Sequence, residues 1–424
     1  MSINSIKLLF FVTCFRSMLL ILSMNLISIS YVYAKTTLRI AAIGHSGDIR
    51  QALYPIASKF ERLNPDVEVK FILWSDSKLK NELSSLLKEK NSIDIVIWHS
   101  GERLKHYVEQ GLVLPITDMW NENQLDDQFT MTTKGMVSYK QQNWAIPISY
   151  YQWGIYYKKS LFKRLAITPP SNWQQFINIL EKIKQNKITP LFIGSKNPWP
   201  VGCWFEYLNL RLNGLEYHNA FVKGEVSAHS SGIREVLQYW KKLIDSEYFF
   251  EKHQENNLAD GFPLIYREHA AMVLTGHMIE PYMPKKVADN IGFFSFPKIK
   301  NNVANIQVTP VDIMFIAKSS LQQKMAKQFL LLAADKDVQS ELNEKLDQFP
   351  VNKNSTMPES QILQEVMKSL KQAEGSTHFF DREVEEMYGR ESLKIWNEFL
   401  IRPNIEETVA KMEKARQGYL DRKL

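Results

Sequence analysis

Residues 37–47 read TLRIAAIGHSG, a short apolar run that stops at glycine, histidine, serine and a second glycine. Ala52, Leu53, Ile56, Ala57, Phe60 and Leu63 then recur at helical spacing, so the parse is strand, turn, helix. Asn64-Pro65-Asp66 ends that helix, and Val67 to Leu73 (VEVKFIL) reads as a second strand by alternation and β-branched content. Leu79, Leu83, Leu86 and Leu87 share a face of the next helix. Ile93 to Trp98 (IDIVIW) is nearly continuous in apolar residues, as expected of a strand covered on both faces. The order β-α-β-α-β predicts a parallel sheet with right-handed crossovers.

Further along, the aromatic stretch Tyr150 to Tyr157 (YYQWGIYY) is strand-like and marks a change of lobe. Ser171 to Gln174 is a Ser-x-x-Gln capping box opening a helix with Phe176, Ile177, Leu180 and Ile183 inward. Trp199 and Trp204 flank Pro200-Val201-Gly202 in an expected loop, and Lys158 to Arg164 reads as a solvated helix start. Ala270 to Thr275 and Ile291 to Phe296 are further strands, and the tail from about Glu383 to Leu420 is helical, interrupted at Pro403. With no internal repeat and two sheet-forming regions, the chain is expected to be α/β with two lobes, each a mainly parallel sheet flanked by helices.

Length and composition agree. A chain of 424 residues holds two or three domains at about 150 residues each, and 45 % apolar with 23 % charged residues is a globular composition. After Lys7 and Arg16, residues 17–34 carry no charge, include Met18 to Leu22 and end in Val32-Tyr33-Ala34, the pattern of a signal peptide cleaved after Ala34. The alternative is an uncleaved membrane anchor, but Ser23, Asn25, Ser28 and Ser30 dilute the run. Cys14 precedes most of the apolar stretch, so lipoprotein anchoring is not expected. Loss of residues 1–34 takes the formal charge from +6 to +4, too small an excess to imply a nucleic-acid partner. It also leaves Cys203 as the single thiol, read as a small buried hydrophobe, with no disulfide and no cysteine zinc site. The protein from Lys35 onward is thus expected to be exported to a bacterial periplasm.

Motifs for phosphate or dinucleotide binding, for a zinc protease and for a nucleophile elbow are absent, and no cofactor is expected. A carboxylate pair of the kind glycosidases use is a spatial feature that a sequence leaves open. Aromatic residues do collect near predicted strand ends, where open α/β sheets bind ligands: Trp74, Trp98, Tyr151, Trp153, Trp199 and Trp204. Flat rings suit the C–H faces of a pyranose, and polar neighbours can bond its hydroxyls. His45, His99 and His277 also fall at strand ends, but from three distant segments without ligand spacing, so hydrogen bonding is the expected role and no metal is assigned.

Several blocks resemble one family. These are Asp94 to Trp98 with Gly111 to Ile116 (DIVIW, GLVLPI), Trp144 to Phe162 (WAIPISYYQWGIYYKKSLF), Pro170 to Trp173 (PSNW) and Gly261 to Gly276 (GFPLIYREHAAMVLTG). In this order they resemble the family 1 extracellular solute-binding proteins of ABC importers, the maltose-binding-protein-like, sugar-type class. Lys158 stands where that family often has Asn, Glu268-His269 where it has Gly-Lys, and His277-Met278 where an aromatic is common.

The resemblance implies a two-lobed periplasmic binding protein fold joined by hinge crossings, with lobe one at 35–147 plus 294–332 and lobe two at 148–293 plus 333–424. It implies cleft residues at His45 and Ser46, Trp98 and Ser100, Tyr151 and Trp153, and Gly276 and His277. The aromatic reading adds Trp74, Trp199 and Trp204. The function so implied is capture of a sugar or oligosaccharide by a monomeric, non-enzymatic protein and delivery to ABC permease subunits whose ATPase is a separate chain. A ligand sensor for a membrane receptor and an exported carbohydrate-active enzyme are the alternatives.

Overall fold

The computed structural model describes residues 35–44, 47–276 and 284–423. His45, Ser46 and His277 therefore lie outside the described residues, as does the segment read as a leader. In chain order the strands are β1 (Thr36–Ile43), β2 (Val67–Trp74), β3 (Ile95–His99), β4 (Ser138–Tyr139), β5 (Gln142–Asn143), β6 (Ala145–Tyr150) and β7 (Gly154–Lys158). There follow β8 (Thr189–Phe192), β9 (Ala270–Thr275), β10 (Ile291–Phe294), β11 (Ile306–Val308), β12 (Val311–Ile316) and β13 (Gly375–Thr377).

Two sheets organise the molecule, one in the order β2-β1-β3-β12-β6 and the other β10-β7-β9-β8. The opening third folds as its periodicity predicts, with β1 parallel to both β2 and β3. Each sheet contains one reversed strand. In the first it is β12, antiparallel to β3 and β6; in the second it is β7, antiparallel to β9 and β10. Both follow a crossing from the other sheet. A strand that arrives through the cleft must run away from it, whereas β1, β3, β6 and β9 end at it. The carboxyl ends of these strands and the amino ends of β7 and β12 consequently meet in one layer.

Each sheet has its own core. One contains Leu38, Ile40, Phe60, Ile95, Trp98, Trp120, Ile146, Phe315 and Phe329, the other Tyr156, Phe176, Leu191, Trp204, Leu237, Met272, Phe293 and Trp396. Asp94, fully buried beneath the first sheet, accepts from the Arg39 backbone N–H at 2.8 Å and from the Ser320 hydroxyl at 2.5 Å. Those two bonds pin β1 to the turn after β12.

The cores divide the chain differently from the expected boundaries. Phe294, Phe296, Ile306 and Val308 pack in the second core, so the return crossing falls between Val308 and Val311 and not at 294. Ala333, Ala334, Val338, Leu342 and Val351 pack in the first core and Phe349 touches the second, so a third crossing falls between Phe349 and Ile362 and not at 333. The helix Lys336–Leu346 is tied to lobe one by polar side chains a hydropathy reading does not weigh. Gln339 donates to the Pro147 carbonyl at 2.8 Å and accepts from Asn352 N–H at 2.8 Å, while Asn343 donates to the Ile148 carbonyl at 2.9 Å.

Two local expectations are corrected. The helix Trp173–Gln185 is capped by Asn172, which accepts from Gln175 N–H at 3.0 Å, one residue later than the Ser-x-x-Gln box placed it. Trp199 to Gly202 do not form a loop: they are the first turn of a helix running from Trp199 to Val222, since a proline in the first turn forfeits no helical hydrogen bond. Gly214, at φ 82°, breaks that helix internally. Among the described residues no helix is long and apolar enough to cross a membrane.

Candidate functional site

The first crossing, Tyr151-Gln152-Trp153, sits between the end of β6 and the start of β7 and is bonded edgewise to the second crossing. Tyr151 N–H donates to the Pro310 carbonyl at 3.3 Å and Trp153 N–H to the Val308 carbonyl at 3.0 Å. Gln152 turns the other way, wholly buried, and donates to Gln307 and to Ser369, each at 2.9 Å. The alternation of an extended backbone thus directs Tyr151 and Trp153 to one side, with Gln152 as the fastening between them.

On that side lies the end of β9. A β-carbon built on Gly276 would come within 2.8 Å of the Tyr151 ring and 3.0 Å of Trp153 Nε1, so only glycine lets the two rings approach this turn. Trp153 meets Trp199 edge to face at 5.6 Å between centroids and Phe379 at 5.1 Å, making a cluster of three aromatic side chains. Trp199, at the start of its helix, is half-buried. The indole Nε1 of Trp153 and the hydroxyl of Thr275 are buried without a hydrogen-bond partner.

A polar group faces the aromatic one. Asp312, second residue of β12, lies opposite His99 at the end of β3 and takes its Nδ1 at 3.2 Å. Arg382 comes from the far end of the chain, donating to Asp312 at 3.1 Å and to the Tyr151 hydroxyl at 2.7 Å. Burial and the Arg382 charge push His99 down to about 4, against the opposing pull of Asp312. Burial alone would raise Asp312, but the Arg382 guanidinium and the His99 hydrogen bond hold it below the usual carboxylate range. At neutral pH the pair is therefore a neutral imidazole donating from Nδ1 to an ionised carboxylate. Such a constellation offers donors and acceptors to hydroxyl groups; it holds no nucleophile aligned with a base, and among the described residues no His, Cys, Asp and Glu group is arranged to hold a metal ion.

The other sequence-derived candidates separate. Trp74 ends β2 half-buried, with Lys78 Nζ 4.3 Å from its ring centroid. Trp98 is a correction: it is 1 % exposed, its ring packed in the first core on Tyr107 at 6.1 Å between centroids and stacked on His99 at 5.1 Å. Trp204 is a second correction, since it lies inside the second core between Phe249 and Phe296, one and a half turns into its helix and 1 % exposed. Ser100 is buried, its hydroxyl donating to the Val311 carbonyl at 3.0 Å, and so fastens β3 to β12. Gly276 is a spacer for the rings and not a bonding group. The aromatic and polar reading missed Asp312, Phe379 and Arg382. The signal that could have found the last two is local: His378-Phe379-Phe380-Asp381-Arg382 joins two aromatics to an acid and a base just before the helical tail.

The sequence pattern of the bacterial extracellular solute-binding proteins matches residues 46–340. The chain belongs to this family. An ABC transporter extracellular-binding protein of Pyrococcus horikoshii is 26 % identical over 337 residues, 78 % of this chain and 75 % of its own length. Among solved structures, the bacterial solute receptor AcbH, described as exclusively preferring β-D-galactopyranose, is similar with a TM-score of 0.85 at 21 % identity, over 92 % of this chain and 99 % of that one. A chitin oligosaccharide binding protein gives a TM-score of 0.82 at 20 % identity, over 92 % and 100 %. These solute-binding folds are two-lobed, and the mixed α/β architecture with helix-flanked sheets is theirs.

Proposed function

We propose that this solute-binding protein captures a saccharide between its two lobes and delivers it, unchanged, to the membrane subunits of an ABC importer. It acts as an exported monomer, released into the periplasm after cleavage of residues 1–34, and the ATPase is another chain. One observation supports the saccharide: the half-buried Trp199 and the buried Tyr151, Trp153 and Phe379 gather at the crossings beside the Asp312–Arg382 pair. Rings offer a face to the C–H side of a pyranose, and ionised side chains bond its hydroxyls. The preferences named for the structural relatives, a galactopyranose and chitin oligosaccharides, point to the same class. Capture then works by population shift, because a sugar touching both lobes binds the closed form better than the open one.

Calorimetric titration with galactose, chitin oligosaccharides and a panel of other saccharides tests this reading. Saturable binding with no release of shorter products is the expected result. Turnover of a glycan would make the protein an enzyme, and tight binding of a non-sugar solute with no response to any saccharide would overturn the ligand class.

A further inference from the structure

Between β13 and the helix Glu386–Ile401 runs a short segment, His378 to Glu383, that belongs to the second core through Phe379 and Phe380. Its own lobe holds it from behind. Thr377 accepts from Thr309 N–H at 2.9 Å, and the wholly buried Glu206 accepts from Phe380 N–H at 3.2 Å. Phe380 also lies against Trp396 at 4.8 Å between centroids.

The next two residues face the other lobe, and their charges are opposite. Asp381 accepts from Arg103 at 3.1 Å and lies 3.6 Å from Lys80 Nζ, both on lobe-one helices; Arg103 Nε also donates to the Asp381 carbonyl at 2.7 Å. Arg382 pairs with Asp312 at 3.1 Å on β12. Glu386 extends the group, 3.7 Å from Arg103. The approach is close enough to constrain the backbone: Gly101 has φ 75°, and a β-carbon there would lie 3.0 Å from the Arg382 carbonyl oxygen. Asp381, Arg103 and Arg382 are all buried. The bonds of this group to Arg103, Lys80 and Asp312 run between protein atoms of different lobes, and none requires a solute.

We propose that Asp381 and Arg382 form a charge-paired strap that closes the two lobes on its own, so that a closed population exists before solute binds and sets the apparent affinity. A purely positive or purely negative strap would need one complementary patch; this one needs two of opposite sign, in a fixed order, which also fixes the angle at which the lobes meet. Opening returns both charges to water, so much of the attraction is offset by regained solvation. The net bias is accordingly modest, about tenfold in the closed-to-open ratio, and the apparent affinity moves with the competent fraction. Its use in transport rests on the solute-capture reading above, but its existence does not.

The test is a distance measurement on solute-free protein. Thr132 and Lys223 are exposed and line the groove between the lobes, one from each side, and Cys203 is buried, so spin labels at T132C and K223C report lobe separation. The expected result is a short-distance component in the otherwise unsubstituted protein whose ratio to the long one falls about tenfold in D381N/R382Q. R382K should lie between, since lysine keeps a charge for Asp312 but cannot also fork to Tyr151. Circular dichroism confirms folding; if the double variant does not fold, D312N on the opposite lobe must open the protein instead. Identical distributions with and without the strap charges, or a long component alone in the unsubstituted protein, overturn the proposal. Failure of the saccharide reading would show only in the calorimetry and leave these distances unchanged.

Discussion

Gly276 and Tyr151 stand so close that a single methyl group on the glycine would lie 2.8 Å from the tyrosine ring. The ring cannot simply swing aside, because its hydroxyl is held by Arg382 and its backbone N–H by Pro310. The Gly276→Ala substitution should therefore displace Tyr151 and Trp153 together. We expect saccharide affinity to fall more than about tenfold, while the urea midpoint reflects an overpacking cost of about 1–3 kcal/mol. Full affinity in G276A would show that the two rings do not contact the ligand.

The tryptophans that look alike in the sequence should behave differently. Trp204→Ala removes a wholly buried indole from the second core and should cost about 3–5 kcal/mol of stability. Trp199→Ala removes a half-buried ring at a helix start, so calorimetry should show weakened saccharide binding with a smaller loss in chemical denaturation. Equal effects on both readouts would contradict the separation of core and cleft.

Asp94 is a fastening with no part in the cleft. Replacing it with alanine leaves the Arg39 N–H without its side-chain acceptor and the Ser320 hydroxyl donor without an acceptor, at about 1–3 kcal/mol for each buried donor so stranded. Denaturant unfolding of D94A should show that loss, and titration of the folded fraction should show unaltered affinity.

Acid should weaken the fold well above the carboxylate range. Burial pushes His99, His218 and His378 each down to about 4 from the ordinary 6.5. Above pH 6.5 these side chains are neutral in both folded and unfolded chains, and their contribution is fully present. As pH falls from 6.5 toward about 4, only the unfolded chain takes up the protons, so stability is lost at up to about 1.4 kcal/mol per pH unit for each histidine. Urea midpoints should drop between pH 7.5 and pH 5; a flat profile would mean the three rings are not held neutral.

Much of the architecture was legible in local pattern. Period-2 and period-3.6 spacing fixes β1 to β3 and their helices because each element must show an apolar face to the same core, and that requirement is written residue by residue. The crossing at Tyr151 to Trp153 was equally visible as a change in pattern. The lobe boundaries were not, since Gln339 and Asn343 anchor their helix through backbone carbonyls on β6, which no hydropathy reading reveals.

The sequence by itself determined the alternating α/β order, the place of the first crossing and the supply of aromatic residues near the strand ends. Only the tertiary structure decided which of those rings face the cleft. Trp98 and Trp199 look alike in the sequence, yet Trp98 is packed in the first core on Tyr107 while Trp199 stays half-buried beside Trp153. Arg382 reaches Tyr151 across 231 residues of chain, and Asp381 reaches Arg103 across 278. Contacts at such separations are set by how two independently packed cores are docked, a choice with no local periodicity to record it.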